Sequence, residues 1–288
     1  MPELPEVETV KRGLAGLLVG KVIQNAYHIE SPKSFPNSQV DITQFMDGAA
    51  VTGVRRRAKV LLIDLTSGYS LVIHLKMTGQ LVFRGEDVFG AGHPNDSLIG
   101  ELPDRSTRVV IKFTDDSHLY FNDQRKFGWV KLLPTIEVPN IDFMKKVGPE
   151  PLEADFSAQQ FADRFSRRAN TNIKAALLDQ TVVAGVGNIY ADESLWGAKI
   201  DPRRLVKSLS SDEFALLYAE LRQVMNLAIE KGGSTDKNYV NAEGKRGSYM
   251  DFARVFRREG QACPRCETAI IKFKHAGRGT HVCEQCQK

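Results

Sequence analysis

The sequence predicts an α+β chain of two domains, a β-rich antiparallel domain followed by a helical one that ends in a small cysteine-bearing hairpin. Three observations lead there. β-type runs crowd the stretch from Lys21 to Leu133 with no helical pattern between them, which argues for an antiparallel sandwich or barrel. Past a stretch marked by Pro134, Pro139, Pro149 and Pro151, helical periodicity and capping residues take over. All four cysteines then fall in the last 26 residues, as two C-x-x-C pairs. The expected divisions are 1–133 for the β-rich domain, 134–151 for a linker, 152–250 for the helical domain and 251–288 for the hairpin.

The chain opens with a helix. Pro5, Glu6 and Glu8 suit its first turn, and Leu4, Val7, Val10, Leu14 and Leu17 recur at helical spacing. Strands are expected from Lys21 to Ile29, Val51 to Leu65, Tyr69 to Leu75, Arg108 to Phe113, His118 to Asn122 and Gly128 to Leu133. Turns such as Thr66-Ser67-Gly68 and Asp115-Asp116 separate several of them. The stretch from Gly85 to Asp104 has no periodicity and reads as a mobile surface loop.

In the second half, Ser157-x-x-Gln160 is a capping box before a short helix. Ser210-x-x-Glu213 opens a longer one that carries Phe214, Leu217, Leu221, Val224 and Ala228 and stops at Gly232-Gly233. Between them, helices from Ile173 to Leu178 and from Ile189 to Trp196 are joined through a glycine-rich stretch, Val182 to Asn188. That turn is either a tight helical hairpin or a place where backbone N–H groups meet a phosphate.

With 288 residues and 42% hydrophobic content the chain has enough apolar material for true cores. No run approaches the ~18 apolar residues of a membrane span and no basic-plus-apolar leader opens the chain, so a cytoplasmic address is expected. Net charge is only +4, yet residues 245–288 hold ten Lys/Arg against four Asp/Glu, and Arg55-Arg56-Arg57-Ala58-Lys59 forms a second basic knot. Such clusters are either solvated surface or the footprint of a polyanion. The pairs Cys263/Cys266 and Cys283/Cys286 are separated by 16 residues, the spacing of a four-thiolate zinc site. Disulfides are disfavoured where thiols stay reduced. Four protein ligands leave no open position, so this metal is structural and any catalysis lies elsewhere.

Pro2 would become the free terminus once Met1 is removed, and a secondary amine there is able to form an iminium with a sugar carbon that is losing its base. A helix N-terminus favours the neutral amine, and Glu3 is placed to exchange protons. Read alone, these residues equally describe an ordinary helix start.

Taken together, Pro2-Glu-Leu-Pro-Glu6, Arg56-Arg-Ala-Lys59, His74-Leu-x-Met77-x-Gly79, Asp123-x-Arg-Lys-Phe-Gly128, Gly185-Val-Gly-Asn-Ile-Tyr-Ala-Asp-Glu193 and the four-cysteine hairpin stand in one order. In that order the chain resembles the formamidopyrimidine-DNA glycosylase (Fpg) family from Pro2 to Lys288. The resemblance implies an N-terminal antiparallel β-sandwich with flanking helices, a helical domain with a helix-two-turn-helix motif, a β-hairpin zinc finger holding one structural Zn2+, and DNA in the cleft between domains. It implies a bifunctional glycosylase and abasic-site lyase, acting as a monomer on double-stranded DNA that contains oxidised purines or abasic sites, without a membrane and in the bacterial cytoplasm on the nucleoid.

By the same resemblance Pro2 is the Schiff-base nucleophile, Glu3 the general acid, Glu6 a support of the first helix, Lys59 the proton-transfer lysine of β-elimination and Arg278 the arginine of δ-elimination. Met77, Arg125 and Phe127 match residues inserted into the base stack when the nucleotide is extruded. His74, Arg108, Arg168, Lys174, Asn188 and Tyr249 match further DNA contacts. Before Val109 the family's Lys-His-x-His reads Arg105-Ser106-Thr107-Arg108 here, so the charge at that place falls to Arg105 or Arg108. The loop from Ser234 to Tyr249 aligns with the loop that covers the everted lesion, and with Pro2-Glu-Leu-Pro5 it favours 8-oxoguanine and formamidopyrimidines. Two alternatives stay open: an endonuclease VIII-type enzyme for oxidised pyrimidines, and a non-catalytic lesion-binding protein.

Overall fold

The computed structural model describes residues 2–93, 95–234 and 248–288. Nearly all of the expected lesion loop lies outside the described residues. The chain divides into two compact units, Met1–Lys145 with Lys231–Ser248, and Lys146–Glu230 with Tyr249–Lys288.

The first unit runs α1 (Leu4–Leu18), β1 (Ile23–His28), α2 (Gln39–Met46), β2 (Val51–Arg57), β3 (Val60–Leu65), β4 (Tyr69–His74), β5 (Gly79–Arg84), β6 (Val88–Gly92), β7 (Thr107–Phe113), β8 (His118–Asp123), β9 (Trp129–Pro134) and, at its border, α3 (Asp142–Lys146). Two antiparallel sheets form, in the orders β1-β7-β8-β5-β6 and β2-β3-β4-β9. One apolar core joins Leu61, Ile63 and Ile73 of the smaller sheet to Phe83, Ile111 and Phe121 of the larger, together with Val7, Val10, Leu14 and Leu18 of α1. This is the sandwich with flanking helices that the family resemblance implied.

Several expectations need adjustment. The buried stripe of α1 ends on Leu18, while Leu17 is half-buried. The run from Val51 to Leu65 is two strands, broken at Ala58, whose φ of 53° turns the chain into a two-residue hairpin. It reads as continuous because β3 is covered on both faces, by the central core and by a second cluster of Leu62, Val72 and Val138. The supposed mobile loop from Gly85 to Asp104 contains β6, and beyond that strand Leu98 is buried with Val82, Val110 and Tyr120 on the outer face of the larger sheet. Glycines there allow close approach. A Cβ at Gly92 would come within 2.4 Å of the Gly79 carbonyl.

The second unit contains α4 (Ala158–Phe165), α5 (Ile173–Leu178), α6 (Asn188–Gly197), α7 (Ser211–Glu230) and the hairpin β10 (Ile271–His275) with β11 (Arg278–Val282). Both expected capping boxes form. Ser157 and Gln160 exchange bonds of 2.7 and 3.2 Å, and Ser210 and Glu213 bonds of 2.8 and 3.2 Å. Phe161, Phe165, Phe214 and Tyr218 interlock between α4 and α7. No helix among the described residues is long and apolar enough to cross a membrane.

Candidate functional site

The first part of the site is the start of α1. Glu3 is its N-cap, Pro5 occupies the first turn, and Glu6 Oε2 accepts the Glu3 N–H at 2.8 Å in a reciprocal capping box. Glu3 is buried and Pro2 half-buried. The other Glu6 oxygen accepts both the N–H and the hydroxyl of Ser234, each at 2.8 Å, so one carboxylate joins the helix start to the last residue described before 248. Glu8, one turn on, takes Arg56 at 3.0 Å, and Arg56 also donates to the Ala58 carbonyl at 3.1 Å. Burial alone would raise the Glu8 carboxyl, yet Arg12, Arg56 and Lys11 hold it below its ordinary value. This chain of contacts braces the β2–β3 turn, where the buried Lys59 sits, against α1.

Lys59 leads into Val60, which pairs with His74 across β3 and β4. Burial, then the charges of Lys76 and Lys59, pull the His74 imidazole down to about 3. Its Nδ1 accepts the Lys76 N–H at 3.0 Å, which assigns the remaining proton to Nε2. A neutral ring that donates from Nε2 suits a phosphate oxygen without carrying charge.

Beyond β4, Met77 is 42% exposed, and beyond β8 Phe127 is 55% exposed, with the Arg125 guanidinium 4.8 Å from the Phe127 ring centre. Exposed apolar groups beside an exposed guanidinium are the equipment needed to enter a base stack and bond an orphaned base. Arg108 is placed differently. It is buried, and its guanidinium donates to the Asp123 carbonyl at 2.8 Å and to the Thr107 carbonyl at 3.3 Å. Ser106 is buried too, its N–H and hydroxyl both held by Asp104 at 2.7 Å. Arg105 is the exposed residue of the three and lines a 490 Å³ cleft with Asn95, Asp104 and Gln124.

In the second unit, the turn between α5 and α6 is shaped by Gln180. Its amide donates to the Leu178 and Val186 carbonyls at 3.0 and 2.8 Å and accepts the Gly185 N–H at 3.0 Å. Gly185 needs its φ of 79°, which a side chain would oppose. Asn188 follows Gly187, the N-cap of α6, and its amide donates to the Gly279 carbonyl at 2.9 Å. Lys174 is fully buried, 2.6 Å from Asp192 and bonded to Thr280 Oγ1 at 2.7 Å and to the Gly279 carbonyl at 3.2 Å. Asp192 in turn accepts from the His281 N–H at 2.9 Å. All these bonds converge on the strand that follows Arg278. Arg278 itself is exposed, just past the tight turn at Ala276 and Gly277, whose φ values of 50° and 73° make the hairpin possible.

Arg168 is partly exposed and pairs with Asp179 at 2.5 Å. Tyr249 is buried, its hydroxyl 3.2 Å from Glu193 and its ring 5.5 Å from that of Tyr190. Glu193 also accepts the N–H groups of Arg254, Val255 and Phe256 at 2.8–3.1 Å. Burial pushes its carboxyl above the ordinary value, and these donors oppose the rise.

The sulfurs of Cys263, Cys266, Cys283 and Cys286 lie within 4.8 Å of one another, with Cys263–Cys286 at 3.9 Å and Cys266–Cys283 at 3.4 Å. Tetrahedral Zn–S bonds of ~2.3 Å require sulfurs about 3.8 Å apart. The set therefore fits one structural zinc held by all four thiolates. Trp196 of α6 donates to Cys263 Sγ at 3.4 Å and packs on the cluster with Val255 and Ile270.

The formamidopyrimidine-DNA glycosylase N-terminal domain matches residues 1–130, the formamidopyrimidine-DNA glycosylase H2TH domain residues 147–239, and the zinc finger found in FPG and IleRS residues 260–288. The chain belongs to the formamidopyrimidine-DNA glycosylase family. Among similar family members, that of Pelotomaculum thermopropionicum is 39% identical over 292 residues, covering 100% of this chain and 99% of the relative. That of Streptococcus mutans is 41% identical over 290 residues, covering all of both. The Lactococcus lactis Fpg solved with DNA containing an abasic site aligns at TM-score 0.87 and 34% identity over 99% of each chain. A MutM solved with DNA containing carbocyclic 8-oxo-G aligns at 0.85 and 33% over 100% of each.

Within this family member, three residues outside the predicted set hold predicted ones directly: Asp123 accepts the Arg125 N–H, Asp192 pairs with Lys174 and Glu193 accepts from the Tyr249 hydroxyl, while Glu8 and Gln180 fix the neighbouring turns. Asp123, Asp192 and Glu193 stand inside the quoted motifs, so their positions were visible and their partners were not.

Proposed function

We propose that this chain is a base-excision repair DNA glycosylase and abasic-site lyase that removes oxidised purines, 8-oxoguanine and formamidopyrimidines, from duplex DNA. The observation that carries this reading is the start of α1, where a proline that Met1 removal would leave as a secondary amine adjoins a buried carboxylate at a helix N-terminus. In the reaction we assign, Glu3 gives a proton as the damaged base leaves, Pro2 nitrogen bonds the sugar C1′ in its place and loses its own proton, and the C1′–O4′ bond then opens, O4′ taking up a proton, to leave the iminium. Lys59 takes part in the proton transfers of β-elimination, which breaks the 3′ C–O bond. Arg278 serves δ-elimination, which breaks the 5′ one, and water releases the amine. His74, Asn188, Arg168 and Lys174 belong to the DNA-contacting shell, the buried Lys174 through the Gly279 carbonyl and Thr280 hydroxyl it holds. Arg108 and Tyr249 act from beneath the surface.

The oxidised-purine assignment draws support from relatives solved on Fapy-dG and 8-oxo-G DNA and from Pro2-Glu-Leu-Pro5. We place the protein in the bacterial cytoplasm, on the nucleoid while acting, as a monomer. We assign 1–133 to the catalytic sandwich, 134–151 to the linker, 152–250 to the helical domain and 251–288 to the zinc hairpin. A Pro2→Gly variant tests the reading: it is expected to bind an abasic duplex while losing most strand cleavage, and undiminished cleavage would remove Pro2 from the mechanism.

A further inference from the structure

The residues placed to enter the stack stand on two separate segments, Met77 after β4 and Arg125 with Phe127 after β8. A single fully buried side chain joins them. Asp123 ends β8 opposite Gly79 in the β5–β8 register, which brings Thr78 beside it. Its Oδ1 accepts the Thr78 hydroxyl and the Arg125 N–H, the latter at 3.1 Å, and Oδ2 accepts the Gly128 N–H at 2.6 Å. Thr78 Oγ1 also accepts the Arg125 N–H, at 3.1 Å.

Further features bear on the assembly. The Asp123 N–H donates to the Ser106 carbonyl at 2.8 Å, and Arg108 grips the Asp123 carbonyl at 2.8 Å. Lys126 takes a φ of 56°, so the turn needs outside support to keep that conformation. A Cβ on Gly128 would fall 2.7 Å from the Phe121 ring and 3.1 Å from Asp123 Oδ2, so only glycine lets the N–H approach the carboxylate this closely.

The geometry points to Asp123 as a positioning residue that clamps the two stack-entering segments into one rigid body, so that Met77, Arg125 and Phe127 enter the duplex together. This rests on the stack-entering reading of those three residues. A carboxylate suits the task because its two oxygens accept from both segments at once, and charge-assisted bonds to N–H and O–H groups exceed neutral ones in strength. Ser106 and Arg108 belong to the same clamp through their contacts with the Asp123 backbone.

The test uses the full chain with zinc bound and the variants Asp123→Asn and Thr78→Val. The second is nearly isosteric and removes only the hydroxyl that bridges the segments. Two activities are compared: excision of 8-oxoguanine from a duplex, which needs the stack opened, and cleavage at an abasic site in single-stranded DNA, which has no stack to open. A 2-aminopurine beside the lesion reports the opening directly by its fluorescence. The clamp predicts that both variants lower the ratio of duplex excision to single-strand cleavage by about tenfold or more, with a matching slowing of the fluorescence rise. An equal fall in both activities would reduce Asp123 to a structural residue, and no change in the ratio would overturn the clamp. Phe127→Ala runs in parallel: a normal fluorescence rise in that variant sinks the stack-entering reading itself, whereas a slowed rise there with normal Asp123→Asn and Thr78→Val sinks only the clamp.

Discussion

The buried pair Lys174–Asp192 makes a quantitative prediction. Both side chains are fully buried and 2.6 Å apart, with the ammonium approaching Oδ1 outside hydrogen-bond geometry, so the contact acts chiefly as an ion pair. Asp192→Asn keeps an oxygen for the His281 N–H and removes the charge. Removing one partner of a buried pair leaves the other charge uncompensated, a cost of about 3–5 kcal/mol. At about 2–4 °C per kcal/mol for a chain of this size, the melting temperature should fall by roughly 10 °C. Adding Lys174→Met removes the stranded charge and should recover most of that loss, because no ion is then left buried without its counter-charge.

Function should not recover with it. Lys174 also holds Thr280 and the Gly279 carbonyl, next to Arg278, and methionine makes neither bond. Thermal unfolding combined with gel analysis of the β- and δ-elimination products separates the two effects: a stable double variant that stalls at the β product is expected. An Asp192→Asn protein melting within about 1 °C of the parent would refute the charge argument, and so would a double variant no more stable than the single one.

Three other predictions follow from the same geometry. His74 binds its proton more weakly when folded, about 3 against an ordinary 6.5, so the unfolded chain binds more protons below 6.5 and stability falls as pH drops; denaturation at pH 7 and 5 should show a loss of up to about 2 kcal/mol that His74→Gln abolishes. Without metal, hydrogen bonding to Thr268 pulls the Cys266 thiol down to about 6, while burial and the neighbouring thiols push Cys286 up to about 12, so zinc binding must release protons; metal analysis should find one zinc per chain, held less tightly as pH falls. A Cβ on Gly13 would lie 2.3 Å from the Phe89 ring, so Gly13→Ala should destabilise by about 1–3 kcal/mol in chemical denaturation despite the better helix propensity of alanine.

Much of the architecture was legible from local signals. The Ser157 and Ser210 capping boxes, the run from Ile173 to Leu178 and the cysteine pairs each have a short-range cause, a cap, a period or a ligand spacing, and each forms as read. What escaped depends on distant partners. β6 is Val-Phe-Gly-Ala-Gly, whose small residues read as loop until Gly13 of α1 and the Gly79 carbonyl are seen pressed against that strand. α2 is a short helix of mixed polarity, and only Ile42 and Met46 of it are buried. The chemistry divides in the same way. Pro2, Glu3, Lys59 and Arg278 stand out by residue type and motif, whereas the burial of Lys174, Arg108 and Tyr249 is a property of the folded unit that motif spacing does not encode.

The central claim is that Pro2 acts as an imine-forming nucleophile at oxidised purines. Borohydride trapping on parallel duplexes carrying 8-oxoguanine opposite cytosine, an oxidised pyrimidine or an abasic site tests it most directly, with the N-terminal mass determined on the same sample. The account predicts a covalent adduct on 8-oxoguanine that exceeds the one on the pyrimidine lesion, from protein lacking Met1. Stronger trapping on the pyrimidine would contradict the substrate assignment, and no adduct on any duplex from protein lacking Met1 would contradict the mechanism.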